Sequence, residues 1–364
     1  MPIFKVHTPY QAASINIFIG TIVFLLFSVN TFCYANDENK EYTALEQERF
    51  SQIFSFFSKS CNDGDFDGCA DLGIMYKKGK GTPKNLYKAA ELFTQACYKG
   101  IDRGCLNFRS MYDDANETQQ KNLKKIKIFT KGCIKGDAED CTRLGAIYTE
   151  GGKNEKDFFK AFELFNNGCN GGDARGCTNL GVMYNNGTGI DKNISRATEL
   201  FTKACNEKDI VGCTYLGHVL VEGKEIEKNY SKAKELFTLA CNGGNAVGCS
   251  DLGLMYSKGY GTEKNESKAI ELFSKACDKD SAVGCKNLAR MYMIGKGVEQ
   301  NDAKAIELFT KVCDEKDGIG CLQLGMMYML GRGVEKDQSK AKKLFIKAHD
   351  YIKPEDIKNQ SEAQ

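Results

Sequence analysis

The chain has 364 residues, 42% hydrophobic and 27% charged, and its 50 basic against 48 acidic side chains leave a formal net charge of +2. That balance excludes a chain-wide polycation built for nucleic acid or an anionic surface, and beyond the N-terminal segment only His218 and His349 remain, too few for a zinc site built from several histidines. The outlying number is 17 cysteines, which asks for an oxidising compartment.

At the N-terminus, Lys5 precedes the apolar run INIFIGTIVFLLFSV, short for a membrane span, and the polar TFCYANDENK follows. This predicts a signal peptide over residues 1–35 with cleavage after Ala35; an uncleaved anchor is the competing reading. Lipidation of Cys33 is disfavoured, because Asn30, Thr31 and Phe32 lack the small side chains such a site needs. Export makes the destination secreted or periplasmic, with no membrane contact after cleavage. Loss of residues 1–35 removes Lys5 and no acid, lowering the net charge to +1, and leaves 16 cysteines, an even number with no thiol to spare.

Residues 36–68 read as an N-terminal capping helix and bend, since LEQERFSQIFSFFSKSC has apolar residues at helical spacing. From Cys69 to Asp356 eight blocks of 36 residues follow without insertion or deletion, occupying residues 69–356. In CSDLGLMYSKGYGTEKNESKAIELFSKACDKDSAVG, one apolar stripe is Cys249, Leu252, Met255 and Tyr256 and a second is Ala269, Leu272, Phe273 and Ala276, so each block holds two short amphipathic helices, A and B. Glycines in KGYGTEKN end helix A; no strand precedes this GxG, so it is not a phosphate loop. A pair this short cannot bury its apolar face alone and must stack on its neighbours. The expected fold is all-α, a curved right-handed α/α solenoid of tetratricopeptide type, closed by a polar C-terminal tail over residues 357–364 after Pro354 stops the last helix.

One block departs from the pattern. CLNFRSMYDDANETQQKNLKKIKIFTKGC has Phe108 and Arg109 in place of Leu-Gly, and Ala115 and Glu117 in place of the turn glycines. Tolerated drift and a local change of curvature are both open readings.

The cysteines fall in CX7C pairs: Cys61 and Cys69, Cys97 and Cys105, Cys133 and Cys141, Cys169 and Cys177, Cys205 and Cys213, Cys241 and Cys249, Cys277 and Cys285, Cys313 and Cys321. The first of each pair ends a helix B and the second opens the next helix A. Pairing within each CX7C leaves no orphan, whereas pairing Cys69 with Cys97 onward strands Cys61 and Cys321, because His349 stands where the last partner belongs.

LGMMYMLGRGVEKDQSKAKKLF and CTNLGVMYNNGTGIDKNISRATELFTKAC resemble Sel1-like repeats, with their LGxxYxxGxGV turn and AxxLFxKA second helix. With its CX7C pairs the chain resembles the Helicobacter cysteine-rich protein family, exported Sel1-like proteins with helices cross-linked by disulfides. Members are commonly labelled β-lactamases or penicillin-binding proteins, which implies β-lactam binding or hydrolysis as an alternative function. Ser231 with Lys234 and Ser339 with Lys342 fit Ser-x-x-Lys, but both are the SKAK form of the helix B consensus, and the Ser-Asp-Asn and Lys-Thr-Gly elements are missing. No catalytic residue and no cofactor or metal is assigned.

What remains is surface. In solenoids of this type the A helices line the concave side, which suits an extended peptide or protein segment. Positions two, six and nine of each block point away from the core stripe: Thr178, Val182 and Asn185 in one, Lys286, Arg290 and Met293 in another, Leu322, Met326 and Met329 in the last. The favoured function is an exported, disulfide-stapled, monomeric scaffold binding a peptide or protein there; packing of Leu322, Met326 and Met329 on the C-terminal cap is the competing explanation. Four segments also read acid-x-Asn-x-Ser/Thr, at Asn116, Asn193, Asn229 and Asn265, an acidic N-glycosylation sequon; helix N-capping explains the same asparagines.

Overall fold

The computed structural model describes residues 43–151, 156–223 and 225–352. The signal segment, Cys33, Pro354 and the polar tail lie outside the described residues. Among those described there are 17 helices and no strand. Helix α1 spans Ala44–Asn62. The A helices are α2 (Phe66–Lys78), α4 (Asp102–Asp113), α6 (Ala138–Glu150), α8 (Ala174–Asn186), α10 (Ile210–Glu222), α12 (Ala246–Lys258), α14 (Ala282–Ile294) and α16 (Gly318–Leu330). The B helices are α3 (Leu86–Tyr98), α5 (Glu117–Ile134), α7 (Phe158–Asn170), α9 (Ile194–Asn206), α11 (Tyr230–Asn242), α13 (Glu266–Cys277), α15 (Asp302–Asp314) and α17 (Gln338–Tyr351).

Short polar residues start these helices. Asp209, Asn245, Ser281 and Asp317 cap α10, α12, α14 and α16, each accepting from a first-turn N–H that has no intrahelical partner. Most A helices end on a left-handed glycine, Gly187 at φ 70° and Gly259 at φ 80° among them, a conformation that crowds any β-carbon. The helices are 12 to 14 residues long in the regular blocks, too short to hold alone, so packing stabilises them.

The core repeats with the sequence. Cys249, Leu252 and Met255 of α12 and Ala269, Leu272, Phe273 and Ala276 of α13 are all buried, and Phe201, Phe237, Phe273 and Phe309 are at most 2% exposed. Helix A admits the ring by means of a glycine. A β-carbon on Gly217 would stand 2.5 Å from Cε1 of Phe237, and one on Gly253 2.7 Å from Cε1 of Phe273.

The helices form two compact units. One runs through Lys135 and takes in Ala146–Asp157; the other comprises Gly136–Gly145 and the chain from Phe158. In the first, α5 packs along α3 while α4 and α5 touch only marginally. The residues give the reason. Arg109 replaces the ring-admitting glycine and its side chain is 82% exposed, so α4 cannot close on α5 as other A helices close on their B helices. In this unit the Tyr148 hydroxyl donates to Glu91 Oε2 at 2.5 Å with both residues buried. Burial, reinforced by the Glu91 charge, pushes the Tyr148 phenol well above its usual range. The second unit stacks α7 through α17, each helix on the next.

Candidate interaction face

Disulfides fix seven of the joints at which an A helix follows the helix before it. Cys61 is bonded to Cys69, Cys97 to Cys105, Cys169 to Cys177, Cys205 to Cys213, Cys241 to Cys249, Cys277 to Cys285 and Cys313 to Cys321, with Cα atoms 4.4 to 4.7 Å apart. Cys133 and Cys141 are likewise disulfide-bonded. Most of these sulfurs are buried on at least one side. In the bridge from Cys97 to Cys105 both residues are only half-buried.

The structure sorts the A-helix positions into two kinds. Outside the irregular block, where Leu106 is 66% exposed, position two is not open surface, and this corrects the expectation for Thr178 and Lys286. Thr178 is 3% exposed, and its hydroxyl donates to the carboxylate of Asp209, the N-cap of α10. Ser250 makes the same reach to Ser281 at 3.1 Å, and Lys286 Nζ to Asp317 Oδ2 at 2.6 Å. Each joins one A helix to the cap of the next. The polar side chain expected to meet a ligand is instead a link between repeats. Leu322 is corrected likewise, since it packs against the core between α15, α16 and α17.

Positions six and nine are mixed. Val182 and Met293 lean into neighbouring core clusters, and Asn185 donates to Asn186 Oδ1 at 2.9 Å. Arg290 is exposed. Met326 and Met329 are 40% and 39% exposed, so neither is covered by α17. Two residues missed from sequence belong with them, Leu330 at 65% and Ile294 at 55% exposed. Each is the last residue before its helix-ending glycine, Gly331 and Gly295. An apolar side chain directly before a terminating glycine was the available signal.

His218, on α10 at position six of its block, was also missed. Its Nε2 lies 2.6 Å from Asp251 Oδ2 on α12, and its ring lies 5.4 Å from that of Phe237. Partial burial pulls the imidazole pKa down, but the Asp251 hydrogen bond and charge outweigh this and hold it above the ordinary value.

Comparison with known proteins decides the family. The Sel1 repeat profile matches residues 67–101, 138–173, 174–209, 210–245, 246–281, 282–317 and 318–348. The chain belongs to the Sel1 repeat family. Residues 102–137 fall outside every matched repeat, and this is the stretch where Arg109 keeps the helix pair apart. Among curated proteins, "Putative beta-lactamase HcpE" of Helicobacter pylori strain J99 is 35% identical over 72 residues, 19% of this chain and 20% of that protein. The match thus spans about a fifth of its length. Two crystal structures share the fold. A Sel1 repeat protein from Oxalobacter formigenes gives a TM-score of 0.59 at 24% identity, over 66% of this chain and 100% of that chain. The protective antigen c5321 of uropathogenic Escherichia coli, described as displaying an SLR fold, gives 0.55 at 22% identity, over 85% and 70%.

Within the Sel1 repeats the sequon asparagines stand at the start of B helices. Asn193, Asn229 and Asn265 accept from the N–H of Arg196, Lys232 and Lys268 at 2.8, 2.9 and 2.9 Å; Asn116, outside the matched repeats, accepts from Gln119 at 3.0 Å. All four are exposed, and the cap uses Oδ1, not the amide nitrogen. Ser231 and Ser339 of the Ser-x-x-Lys matches are exposed in the first turns of α11 and α17.

Proposed function

We propose that this Sel1 repeat protein is an exported, disulfide-stapled scaffold that binds a peptide or protein segment on the open part of its A-helix face, centred on Met326 and Met329 with Arg290, Ile294 and Leu330 beside them. The observation that carries the reading is the exposure of Ile294 on α14 and of Met326, Met329 and Leu330 on α16, four of the five exposed large apolar side chains on those two helices, Val283 being the fifth. Methionine suits such a face because its unbranched, polarisable side chain adapts to different partners. The rigid spacing of stapled repeats presents these side chains at low entropic cost.

Oxidised cysteines support a secreted or periplasmic location, since glutathione and thioredoxin keep thiols reduced in the cytosol. No helix among the described residues is long and apolar enough to cross a membrane. The four acidic sequons belong to the same proposal: exposed acceptor asparagines along the helix B starts would carry glycans and leave the A-helix face open.

The test is photo-crosslinking of protein carrying a photoreactive methionine analogue, oxidised and incubated with extract from its own source. Crosslinks concentrated at Met326 and Met329 support the reading; a partner captured only through methionines of other A helices, such as Met75, Met111 or Met183, refutes it. The β-lactam alternative rests on the name of the Helicobacter relative alone, and hydrolysis of nitrocefin above a heat-denatured control would revive it.

A further inference from the structure

Helix α5 holds an uneven share of the charge. Between Glu117 and Lys135 stand six lysines against one acid, in a chain whose net charge is only +2. Lys121, Lys124, Lys125 and Lys135 are exposed, and Lys127 and Lys131 are half-buried. Leu123, Ile126 and Thr130 are buried on the opposite side. At 100° per residue, Lys124, Ile128, Lys131 and Lys135 fall on one line along the helix, with Lys121 and Lys125 flanking it. From Lys121 to Lys135 the lysines span about 21 Å at 1.5 Å per residue. At its centre Ile128 is 52% exposed.

The usual explanation is a solvated charged face, and the other repeats show what that looks like. Glu163, Glu199, Glu235, Glu271 and Glu307 occupy one repeat position on successive B helices, and Arg196 to Glu199 and Lys232 to Glu235 are ion pairs on that face. In α5 the same position is Lys127, which lies over the Phe108 ring at 4.7 Å. Lys121 pairs with Glu117 at 3.0 Å, whereas Lys124, Lys125, Lys131 and Lys135 have no ion-pair partner among the described residues. The helix dipole favours cations in the last turn, which accounts for Lys131 and Lys135 but not for Lys124 and Lys125 in mid-helix. Helix α17 has a shorter version, with Lys342, Lys343 and Lys347 exposed around Ile346, itself 54% exposed, and Lys343 at the same repeat position.

We propose that the lysine face of α5 is a docking surface for the anionic headgroups of a phospholipid membrane, engaged peripherally with Ile128 entering the headgroup layer. Charge complementarity selects an anionic partner. The form of the surface selects lipid over an acidic protein segment. It is the outward face of a single helix, its cations are lysines without the arginine fork that fixes a carboxylate, and its one apolar side chain, Ile128, sits in the middle of the charge.

The test is flotation of the oxidised protein with vesicles of phosphatidylglycerol in phosphatidylcholine, against phosphatidylcholine alone. Binding to the anionic vesicles only, weakening with added salt, is expected. Lys124→Glu with Lys125→Glu should lower it about tenfold or more. Lys258→Glu with Lys275→Glu makes the same change of net charge on α12 and α13 and should leave most of it; thermal melts confirm that both variants fold. Lys342→Glu with Lys343→Glu on α17 should cost less than the α5 pair. Equal loss from the α5 and control pairs would mean that binding follows net charge and would overturn the α5 assignment. Absence of binding to anionic vesicles, or capture by polyglutamate with none by vesicles, would overturn the membrane partner.

Discussion

The Phe201 ring fills the space a β-carbon on Gly181 would occupy, its Cε1 lying 2.5 Å from that position. The relationship recurs at Gly73 with Phe93 and at Gly325 with Phe345, and it sets how closely a helix pair can approach. Gly181→Ala should therefore destabilise the protein by about 1 to 3 kcal/mol, as overpacked cores do, despite the better helix propensity of alanine. Chemical denaturation of the oxidised protein measures it. Unchanged stability would show that the ring moves aside freely.

Reduction should proceed in a defined order. The Cys97 to Cys105 bridge has no buried sulfur-bearing residue, so it should open first under graded reductant, read by differential alkylation and peptide mapping. Each opened bridge should cost about 2 to 3 kcal/mol in the chain-entropy view of so short a loop. Simultaneous opening of every bridge would contradict this.

Between His218 and Asp251 the linkage has a definite sign. The folded pKa of His218 is raised above the ordinary imidazole value of 6.5, so the stability it contributes is fully present below that pH and is lost as pH rises through the folded value. Thermal midpoints of the wild type should fall across that window relative to those of His218→Gln. Parallel profiles would remove the linkage.

Much of this architecture was legible because the repeat multiplies each signal. The stripe of Leu252, Met255, Leu272 and Phe273 recurs with a 36-residue step, so core positions could be read by comparison within one chain. The face was harder to read. Thr178 is polar and off the stripe, and only its reach to the cap of the next A helix, which depends on how repeats stack, reveals that it is buried. Leu330 failed in the opposite sense: an apolar residue at a helix end has no partner in the periodicity, and its exposure depends on the turn that follows. Net charge misled in a third way, since an average over the chain conceals six lysines gathered on one helix and its C-cap.

Glycosylation of at least one of Asn116, Asn193, Asn229 and Asn265 should leave the helix starts intact, because the capping atom is Oδ1 and the sugar joins the nitrogen. Intact mass of protein from its native source measures it. A mass equal to the processed, fully oxidised chain would exclude the modification.

The most direct test of the scaffold reading is titration of the oxidised protein with a peptide selected against it from a random library, in wild type and in Met326→Glu with Met329→Glu. The predicted result is a loss of affinity of tenfold or more in that variant, about 1.4 kcal/mol, with Lys258→Glu and Lys275→Glu binding as wild type does. Equal affinity in all three proteins would contradict the assignment of the A-helix face.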